Sequence, residues 1–416
     1  MRPEILAPAG DVAKLKTAFH FGADSVYLGL KRHSLRNFAR NFDLDELEYA
    51  LGYAHERGGK VYVTLNTLPY DEDLDDMAAD VRRLGQLQPD AVIIADPGVL
   101  SLIRSEAPNL PVHLSTQANV TNAASARFWF DQGIDRIIVA RELGIDRLSH
   151  LVSTVPGEVE AFVHGAVCIS YSGRCFLSHY WTGRDANRGE CAQACRWKYR
   201  EVEEQRREGE HHYLMEDDRY TYFFDARDLC ALPVLPRLFG TGLAAWKIEG
   251  RMKSQHYVAV TTDVYRQAAT WLAAGEVERF EAALPELQQE VARVSNRDFS
   301  THFLPGGVPD LDAYNKTGSA YRNAAAFVGT VVARSEHFID VGLKNKLEPN
   351  SSLELRDRGL VREPLNVGPL FLPNGDSLEL GLPNTIVRIP GAFNSGIGAI
   401  VRTLPEHGGE ESASDV

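Results

Sequence analysis

Along residues 1–275, short β-branched apolar runs alternate with longer amphipathic segments. Helical patterns occupy the intervals; one of them, residues 45–57, repeats its apolar positions every 3.6 residues. Eight strands that alternate with helices predict an α/β fold, a (β/α)8 TIM-like barrel. The eight predicted strands are Ile5–Ala7, Ser25–Leu28, Val61–Leu65, Ala91–Ala95, Val112–Ser115, Arg136–Val139, Val159–Val163 and Ala244–Ile248.

Polar residues follow the carboxyl ends of these strands, which form the reactive face of a (β/α)8 barrel. Gln117, Arg141 and His164 are poor turn formers, so their positions favour a role in a site. An open, doubly wound sheet would use the same strand ends, so this prediction does not require barrel closure. The polar residues at these ends are Asn66, Asp96, Gln117, Asn119, Arg141, His164 and Glu249.

The alternation of strands and helices stops after the seventh strand. The rest of the chain divides into an insertion, a connecting segment, a second domain and a tail. An ordinary connection has about 2–6 residues, whereas roughly 80 separate Val163 from Ala244. This Cys-rich insertion, predicted at residues 164–230, holds all five cysteines. Residues 276–322 are a connecting segment, and residues 323–405 have the alternation and turns of a small antiparallel β-barrel domain. The acidic tail, residues 406–416, is predicted to be disordered.

Charge and apolar content narrow the possible partners. The net charge of −13 argues against a surface that coats nucleic acid. Residues 174–200 nevertheless hold six basic and two acidic residues, which indicates either a polyanion site or solvated arginines. Because no apolar run reaches about 18 residues and no signal-peptide core is evident, we expect a cytoplasmic protein that does not bind membranes.

Four cysteines cluster with the spacing C-x6-C-x15-C-x3-C: Cys168, Cys175, Cys191 and Cys195. In a reducing compartment, clustered thiols bind metal more often than they form disulfides. Their soft sulfur suits an iron–sulfur cluster or zinc, although zinc ribbons use two close pairs and this chain has one. A nucleophilic cysteine beside His164 would instead indicate a hydrolase. Cys230 is remote from the others, and we predict that it is buried and not a ligand.

Separated motifs in this chain resemble those of the U32 collection, historically described as collagenase-like peptidases. The motifs span residue 3 to about residue 275 and include PEILAPAGD, GADSVYLG, STQAN, ARELG, EAFVHGAVCISYSGRCFLS, GECAQACRW and KIEGRMKS. The phrases FVHGA, YSGRC and CRWKY resemble the members that modify tRNA. That resemblance implies oxygen-independent, prephenate-dependent formation of 5-hydroxyuridine at the tRNA wobble position, with a 4Fe-4S iron–sulfur cluster. The alternatives it implies are a peptidase, or a hydroxylase of 23S rRNA cytidine or of ubiquinone precursors.

Such a reaction needs a redox centre, and no dinucleotide-binding glycine turn follows a strand here. The four clustered cysteines are therefore expected to hold the centre, with an electron-transfer or iron and sulfur delivery partner that the sequence does not identify. We expect the catalytic residues to be His164 and Glu249, as proton carriers, and Arg141. The residues expected to bind the co-substrate are Lys247, Arg251, Gln117, Asn119 and Asn66.

The basic and aromatic residues of the insertion are candidates for contact with RNA. Cationic side chains neutralise phosphates, and aromatic rings stack on bases that are splayed out of a loop. The candidates for phosphate contact are Arg184, Arg188, Arg196 and Lys198. The candidates for stacking are Tyr171, Trp181 and Trp197; packing in a core is the alternative for each of these rings.

Overall fold

The computed structural model describes residues 2–404, apart from 33, 35, 37, 38, 169, 197, 200–214, 217–220, 223–225 and 307–322. The predicted tail, the charged run at 201–210 and Trp197 lie outside the described residues, as do the side chains of Arg196 and Lys198. None of the helices in the described part of the chain combines the length and the apolar character of a membrane-spanning helix.

Eight parallel strands close into a barrel, which confirms the predicted fold. Seven precede the insertion: β1 (Glu4–Pro8), β2 (Ser25–Gly29), β3 (Lys60–Leu65), β4 (Ala91–Ile94), β5 (Val112–Leu114), β6 (Arg136–Ile138) and β7 (Glu158–Gly165). Four short strands come next: β8 (Lys198–Tyr199), β9 (Met215–Glu216), β10 (Thr221–Tyr222) and β11 (Asp228–Cys230). The last barrel strand, β12 (Ala245–Ile248), pairs in parallel with both β7 and β1, and this double pairing closes the barrel.

Helices cover the outside of the barrel, where their apolar faces meet the strands. In α2, the Asp43 side chain accepts a hydrogen bond from Glu46 N, and the Glu46 side chain accepts one from Asp43 N. Such a capping box stabilises a helix start by about 1 kcal/mol. The apolar positions of the predicted stripe on α2 are all buried: Leu47, Ala50, Leu51 and Ala54. The helices are α1 (Val12–His20), α2 (Leu44–His55), α3 (Leu74–Leu87), α4 (Pro97–Glu106), α5 (Ala123–Asp131), α6 (Ile145–Thr154), α7 (Leu177–Thr182), α8 (Leu235–Phe239), α9 (Gln255–Ala273) and α10 (Val277–Ala292).

The Cys-rich insertion lies between β7 and β12, as predicted. It contains α7 and short 3-10 turns at Tyr171–Gly173, Ala186–Arg188 and Ala194–Arg196. The strands β8, β10 and β9 form a small antiparallel sheet. The insertion returns to the barrel through β11, which is antiparallel to β7.

The segment predicted as a plain connection contains regular structure. Helix α10 packs beside α9 and buries Phe280, Leu287 and Val291. Pro285 lies inside α10 and weakens its helical signal in the sequence, because proline lacks an N–H and disfavours helix interiors. A short strand, β13 (Phe299–Ser300), then pairs with β11. Packing against α9 therefore outweighs the local preference at Pro285.

The C-terminal domain is an antiparallel sheet with its own apolar core, which confirms the predicted β domain. Its strands are β14 (Phe327–Arg334), β15 (Phe338–Leu343), β16 (Ser352–Asp357), β17 (Val361–Asn366), β18 (Leu370–Phe371), β19 (Ser377–Leu378), β20 (Ile386–Pro390) and β21 (Ile400–Thr403). Buried ion pairs join it to the barrel helices: Arg356 Nη2 lies 2.6 Å from Asp263 Oδ2 on α9, and Arg402 Nη1 lies 2.6 Å from Glu290 Oε1 on α10.

Candidate functional site

The cavity at the carboxyl ends of the barrel strands brings most of the predicted site together. The insertion contributes sulfur atoms to its wall, and the strand ends contribute charged and amide groups. The predicted residues that line this cavity are Asn66, Gln117, Arg141, Cys168, Cys175, Cys191, Cys195, Lys247, Glu249 and Arg251. Tyr27, Arg36, Thr64 and Ser172 also line it, although none of them was predicted as a site residue.

The four clustered cysteines are free thiols, each half-buried at the cavity. Leu177 N donates to Cys175 Sγ at 3.3 Å, and Gln193 N donates to Cys191 Sγ at 3.4 Å. Backbone N–H groups directed at sulfur stabilise negative charge on thiolates and on iron–sulfur clusters. Among the described residues, no three His, Cys, Asp or Glu side chains are grouped closely enough to hold one metal ion. A 4Fe-4S cluster takes one thiolate per iron, so its ligands do not share one ion, and four thiols that line one cavity have the donor chemistry for such a cluster.

Polar side-chain contacts fasten the insertion to the barrel mouth. Glu142, in the loop after β6, accepts hydrogen bonds from Ser172 N at 2.8 Å and Ser172 Oγ at 2.7 Å. Arg188 donates to both carboxylate oxygens of Asp73, at 2.6 and 2.9 Å, and its guanidinium lies over the Tyr70 ring. The ion pair links Arg188, a predicted phosphate contact, to the barrel.

The cavity is cationic. Burial raises the pKa of the Glu249 carboxyl, but the charges of Arg36, Arg141 and Arg251 outweigh burial and keep the pKa below its usual value. Arg36 Nη2 lies 3.4 Å from Glu249 Oε1, and Arg251 Nη1 donates to Thr64 Oγ1 at 3.1 Å. Within the described residues, neither Arg141 nor Arg251 forms an ion pair with a carboxylate. Burial lowers the pKa of Arg251 only to about 10, so it stays charged at neutral pH.

An ion pair inside the barrel, between Lys247 and Glu160, lies next to the cationic residues of the cavity. Lys247 Nζ lies 2.9 Å from Glu160 Oε1, and it sits over the Tyr27 ring at 4.5 Å from the centroid. Burial lowers the pKa of Lys247, and the Glu160 carboxylate opposes that shift. Glu160 also pairs with Arg136, at 3.3 Å. Lys247 is therefore neutralised within the barrel, unlike Arg141 and Arg251.

Two amide side chains of the cavity lack partners. Asn66 Oδ1 and Gln117 Oε1 are buried and have no hydrogen-bond partner in the described part of the chain. A buried polar atom without a partner costs about 1–3 kcal/mol, so such atoms mark places where a bound molecule completes the bonding. The amide oxygens are suited to accept hydrogen bonds from a hydroxyl or N–H of a bound molecule, and the guanidiniums of Arg141 and Arg251 are suited to bind its anionic groups.

The segment after β12 reaches the cavity because glycine leaves room for it. Gly165 has φ +102°, and a Cβ there would lie 2.4 Å from the Glu249 carbonyl oxygen. A Cβ at Gly29 would lie 2.1 Å from Arg251 Nη1. These glycines of the FVHGA and GADSVYLG motifs therefore provide the space in which the Glu249–Arg251 segment lies.

The sequence profile of peptidase family U32 matches residues 10–311. The chain belongs to this family. Several relatives of this U32 chain carry the name tRNA hydroxylation protein. That of Bacillus subtilis (strain 168), P1, is 37% identical over 335 residues, 80% of this chain and 78% of its own. That of Escherichia coli (strain K12), P, is 35% identical over 394 residues, 85% of this chain and 86% of its own.

A third U32 relative, also from Escherichia coli (strain K12), has a different name. The 23S rRNA 5-hydroxycytidine synthase is 32% identical over 361 residues, which are 85% of this chain and 52% of the relative. The shared part therefore leaves about half of that longer protein unmatched.

His164, in the FVHGA motif of this U32 chain, does not line the cavity. Lys247 pairs with Phe162 and Ile248 pairs with His164, so Val163 is skipped in a β-bulge. A bulge reverses which side of the strand the next side chain faces. His164 therefore packs outside the barrel against Tyr257 and Tyr265, and burial lowers its pKa to about 4.

Two further predicted positions also lie apart from the cavity in this U32 structure. Asn119 is a left-handed residue, φ 56°, at the end of the turn Thr116–Ala118, and it is not among the cavity-lining residues. Cys230 is buried on β11, as predicted, and it is not among the cavity-lining residues. The strand periodicity did not indicate Arg36, which comes from a loop, or Ser172, which belongs to the insertion.

Proposed function

We propose that this U32 protein is an oxygen-independent RNA hydroxylase that forms 5-hydroxyuridine at the wobble position of tRNA. Prephenate is the proposed co-substrate, and a 4Fe-4S cluster is the proposed cofactor. The observation that carries the proposal is a cavity lined by four thiols and by the guanidiniums of Arg141 and Arg251, which form no ion pair with a carboxylate of the described residues. Relatives named tRNA hydroxylation protein that align with most of this chain support tRNA as the substrate.

The proposed cluster ligands are Cys168, Cys175, Cys191 and Cys195. Replacing hydrogen by hydroxyl at C5 of uridine, with the oxygen at the level of water, releases two electrons and two protons. A bound cluster would pass the electrons one at a time to an external electron-transfer partner, which the proposal requires. The chain contributes the N–H groups of Leu177 and Gln193 at two of the sulfur atoms. Four soft sulfur donors at one cavity suit this cofactor.

The guanidiniums of Arg141 and Arg251 are the proposed carboxylate-binding groups. Prephenate carries two carboxylates, and a guanidinium binds a carboxylate through charge-assisted hydrogen bonds. Both groups face the cavity, and neither forms an ion pair within the described residues. Asn66 Oδ1 and Gln117 Oε1 would accept hydrogen bonds from a hydroxyl group of the bound molecule, because these buried carbonyl oxygens lack partners in the described chain.

Glu249 is the proposed proton acceptor. Its lowered pKa keeps it ionised at neutral pH, and an ionised carboxylate at the cavity wall can take the proton that leaves C5. The surrounding cations hold the carboxylate in this charged form. Arg36, which approaches it at 3.4 Å, is the proposed positioning residue.

A peptidase is the alternative that the family description suggests. A cysteine hydrolase requires a thiolate and a base beside a substrate cleft. Cys230 and His164 are the paired candidates, and both side chains are buried away from the cavity. Modification of 23S rRNA is the other alternative. About half of the relative named 23S rRNA 5-hydroxycytidine synthase lies outside its alignment with this chain, and this favours tRNA as the substrate.

The proposal is tested with anaerobically purified protein, an unmodified tRNA transcript, prephenate and a one-electron acceptor dye. Mass spectrometry of the digested tRNA should detect 5-hydroxyuridine, and omission of prephenate or the Cys175→Ala substitution should abolish it. Iron-loaded protein that gives no hydroxylated uridine would overturn the proposal. Hydroxylated cytidine in 23S rRNA, or cleavage of gelatin by the same preparation, would assign the protein to one of the alternatives.

A further inference from the structure

Four large aromatic side chains are exposed on one short part of the Cys-rich insertion. Phe176 and Tyr180 are 78% and 77% exposed, and Tyr171 and Trp181 are each about half exposed. Soluble proteins rarely expose contiguous large apolar groups unless the surface binds something. We name Tyr171, Phe176, Tyr180 and Trp181 the aromatic ledge.

The ledge borders the candidate active site. Phe176 directly follows Cys175, and Tyr171 directly precedes Ser172; both Cys175 and Ser172 line the cavity. The remaining two rings are on α7, which begins one residue after Phe176. A molecule that lies across the ledge would therefore reach the cavity opening.

The ledge is held in place by its own scaffold. Ser178, on the buried side of α7, accepts a hydrogen bond through Oγ from Ala192 N at 2.9 Å, which ties the helix to the segment that carries Cys191. Tyr180 and Trp181 form an edge-to-face pair with centroids 5.1 Å apart. Rings held in this way lose little conformational entropy when a flat partner binds.

We propose that the aromatic ledge stacks the unpaired bases of an RNA loop beside the base that enters the cavity. This inference rests on the proposed function, because it names the surface that presents the substrate. Every base has a flat π-face, and proteins that bind single-stranded RNA combine such rings with cationic groups. Arg174 supplies a cation between Tyr171 and Phe176: it is exposed, and its Nε donates to the Gln117 carbonyl at 3.0 Å.

The acidic barrel loop that contacts the insertion disfavours an RNA backbone beside it. The turn Asp71–Asp73, with Asp75 and Asp76 in the first turn of α3, lies on the side of the insertion where Arg188 binds Asp73. Carboxylates repel phosphates, so the RNA backbone is kept from that side. The guanidiniums of the cavity and of Arg174 attract phosphates instead.

The test measures the affinity of the iron-loaded protein for an anticodon stem-loop and for a fully paired hairpin without a loop. Phe176→Ala and Tyr180→Ala should each weaken stem-loop binding about 5- to 150-fold, because stacking on one base contributes that factor. Phe128→Ala, on the exposed face of α5, is the matched control and should leave the affinity unchanged. The salt dependence should stay the same in the ledge variants and decrease in Arg174→Gln.

Substitutions that keep the apolar volume separate stacking from folding. Phe176→Leu and Tyr180→Leu remove the π-face, and Tyr180→Phe retains it. We expect only the leucine variants to lose stem-loop affinity, with iron content and circular dichroism as measures of integrity. Unchanged affinity in the double leucine variant, or an equal loss for the paired hairpin, would overturn the ledge proposal.

The two proposals can fail separately. Wild-type protein that hydroxylates tRNA while the ledge variants bind the stem-loop normally would remove the ledge proposal and leave the proposed function standing. Wild-type protein that binds the stem-loop through the ledge but forms no 5-hydroxyuridine would overturn the proposed function and support the ledge.

Discussion

Cys230 lies directly opposite His164 on the antiparallel pair of β11 and β7, and the hydroxyl of Tyr265 contacts both side chains. Tyr265 Oη is 3.2 Å from His164 Nδ1 and 3.8 Å from Cys230 Sγ. Burial raises the pKa of the Cys230 thiol to about 11 and lowers the pKa of His164 to about 4. At neutral pH the pair is therefore a thiol and a neutral imidazole, which is unsuited to nucleophilic catalysis.

Alkylation should distinguish Cys230 from the other cysteines. In metal-free folded protein, iodoacetamide should label the four cavity cysteines and leave Cys230 unmodified, because only a thiolate reacts and Cys230 is buried as the thiol. Peptide mass spectrometry measures the labelling, and unfolded protein provides the control in which all five react. Labelling of Cys230 at the rate of Cys175 would contradict this assignment.

Removing the charge of Arg251 should weaken anion binding without weakening the fold. The Arg251→Met variant should raise the KM for prephenate about 10- to 100-fold, since a charged hydrogen bond contributes about 1.5–3 kcal/mol. Its melting temperature should stay the same or rise, because a buried guanidinium without a carboxylate partner costs free energy. The control is Arg82→Met, which breaks an exposed ion pair with Glu106. A normal KM would remove Arg251 from the site.

Displacement of the same guanidinium should have a similar effect. A Cβ at Gly29 would lie 2.1 Å from Arg251 Nη1, so Gly29→Ala should move the guanidinium and raise the KM while the charge remains. Gly52→Ala is the matched control, because a Cβ there meets no atom within 4 Å. Prephenate titrations monitored by calorimetry would measure both variants. Equal affinities for the two variants would show that the position of Arg251 is unimportant.

The ion pair between Asp73 and Arg188 should stabilise the packing of the insertion against the barrel. Asp73→Asn should weaken the pair by about 1 kcal/mol, because both side chains are partly exposed. We expect faster loss of iron to a chelator and lower hydroxylation, with little change in overall melting temperature. Asp76→Asn, which removes an exposed partner of Arg32, is the control. Identical rates of iron loss in the two variants would contradict this anchoring role.

Acid should weaken the contact between the barrel and the C-terminal domain. Burial raises the pKa of Glu290, but Arg402 and the charges of Arg356 and Arg293 outweigh burial and lower it to about 2. The unfolded chain binds the proton near the usual pKa of 4.5, so this stabilisation is complete above that pH and is lost as pH falls toward 2. The contribution is on the order of 3 kcal/mol.

Denaturant unfolding at several pH values measures that loss. Glu290→Gln should flatten the dependence of the free energy of unfolding on pH between about pH 4.5 and 2, because the titrating group is absent. Glu286→Gln, which removes the exposed partner of Arg362, should leave the dependence close to that of the wild type. A Glu290→Gln variant with the wild-type slope would contradict the assignment.

The eight barrel strands were predictable because buried parallel strands are continuous apolar runs. The residues that follow the strands were predictable as site candidates because the carboxyl ends of all eight strands lie on the same face of a barrel. The sequence did not predict the orientation of His164, because a bulge depends on pairing between β7 and β12. It also did not predict the pairing of Arg188 with Asp73, since contacts between distant segments leave no local pattern. The sequence did not predict helix α10, because Pro285 disfavours a helix interior and packing against α9 stabilises the helix instead.

The central claim is that Cys168, Cys175, Cys191 and Cys195 hold one iron–sulfur cluster at the barrel mouth. Iron and acid-labile sulfide, determined together with visible absorbance on anaerobically purified protein, test it most directly. We predict roughly four iron and four sulfide per chain, lost in each alanine variant of those cysteines and retained in Cys230→Ala. Wild-type protein that holds zinc without sulfide, or iron that persists in all four variants, would contradict the claim.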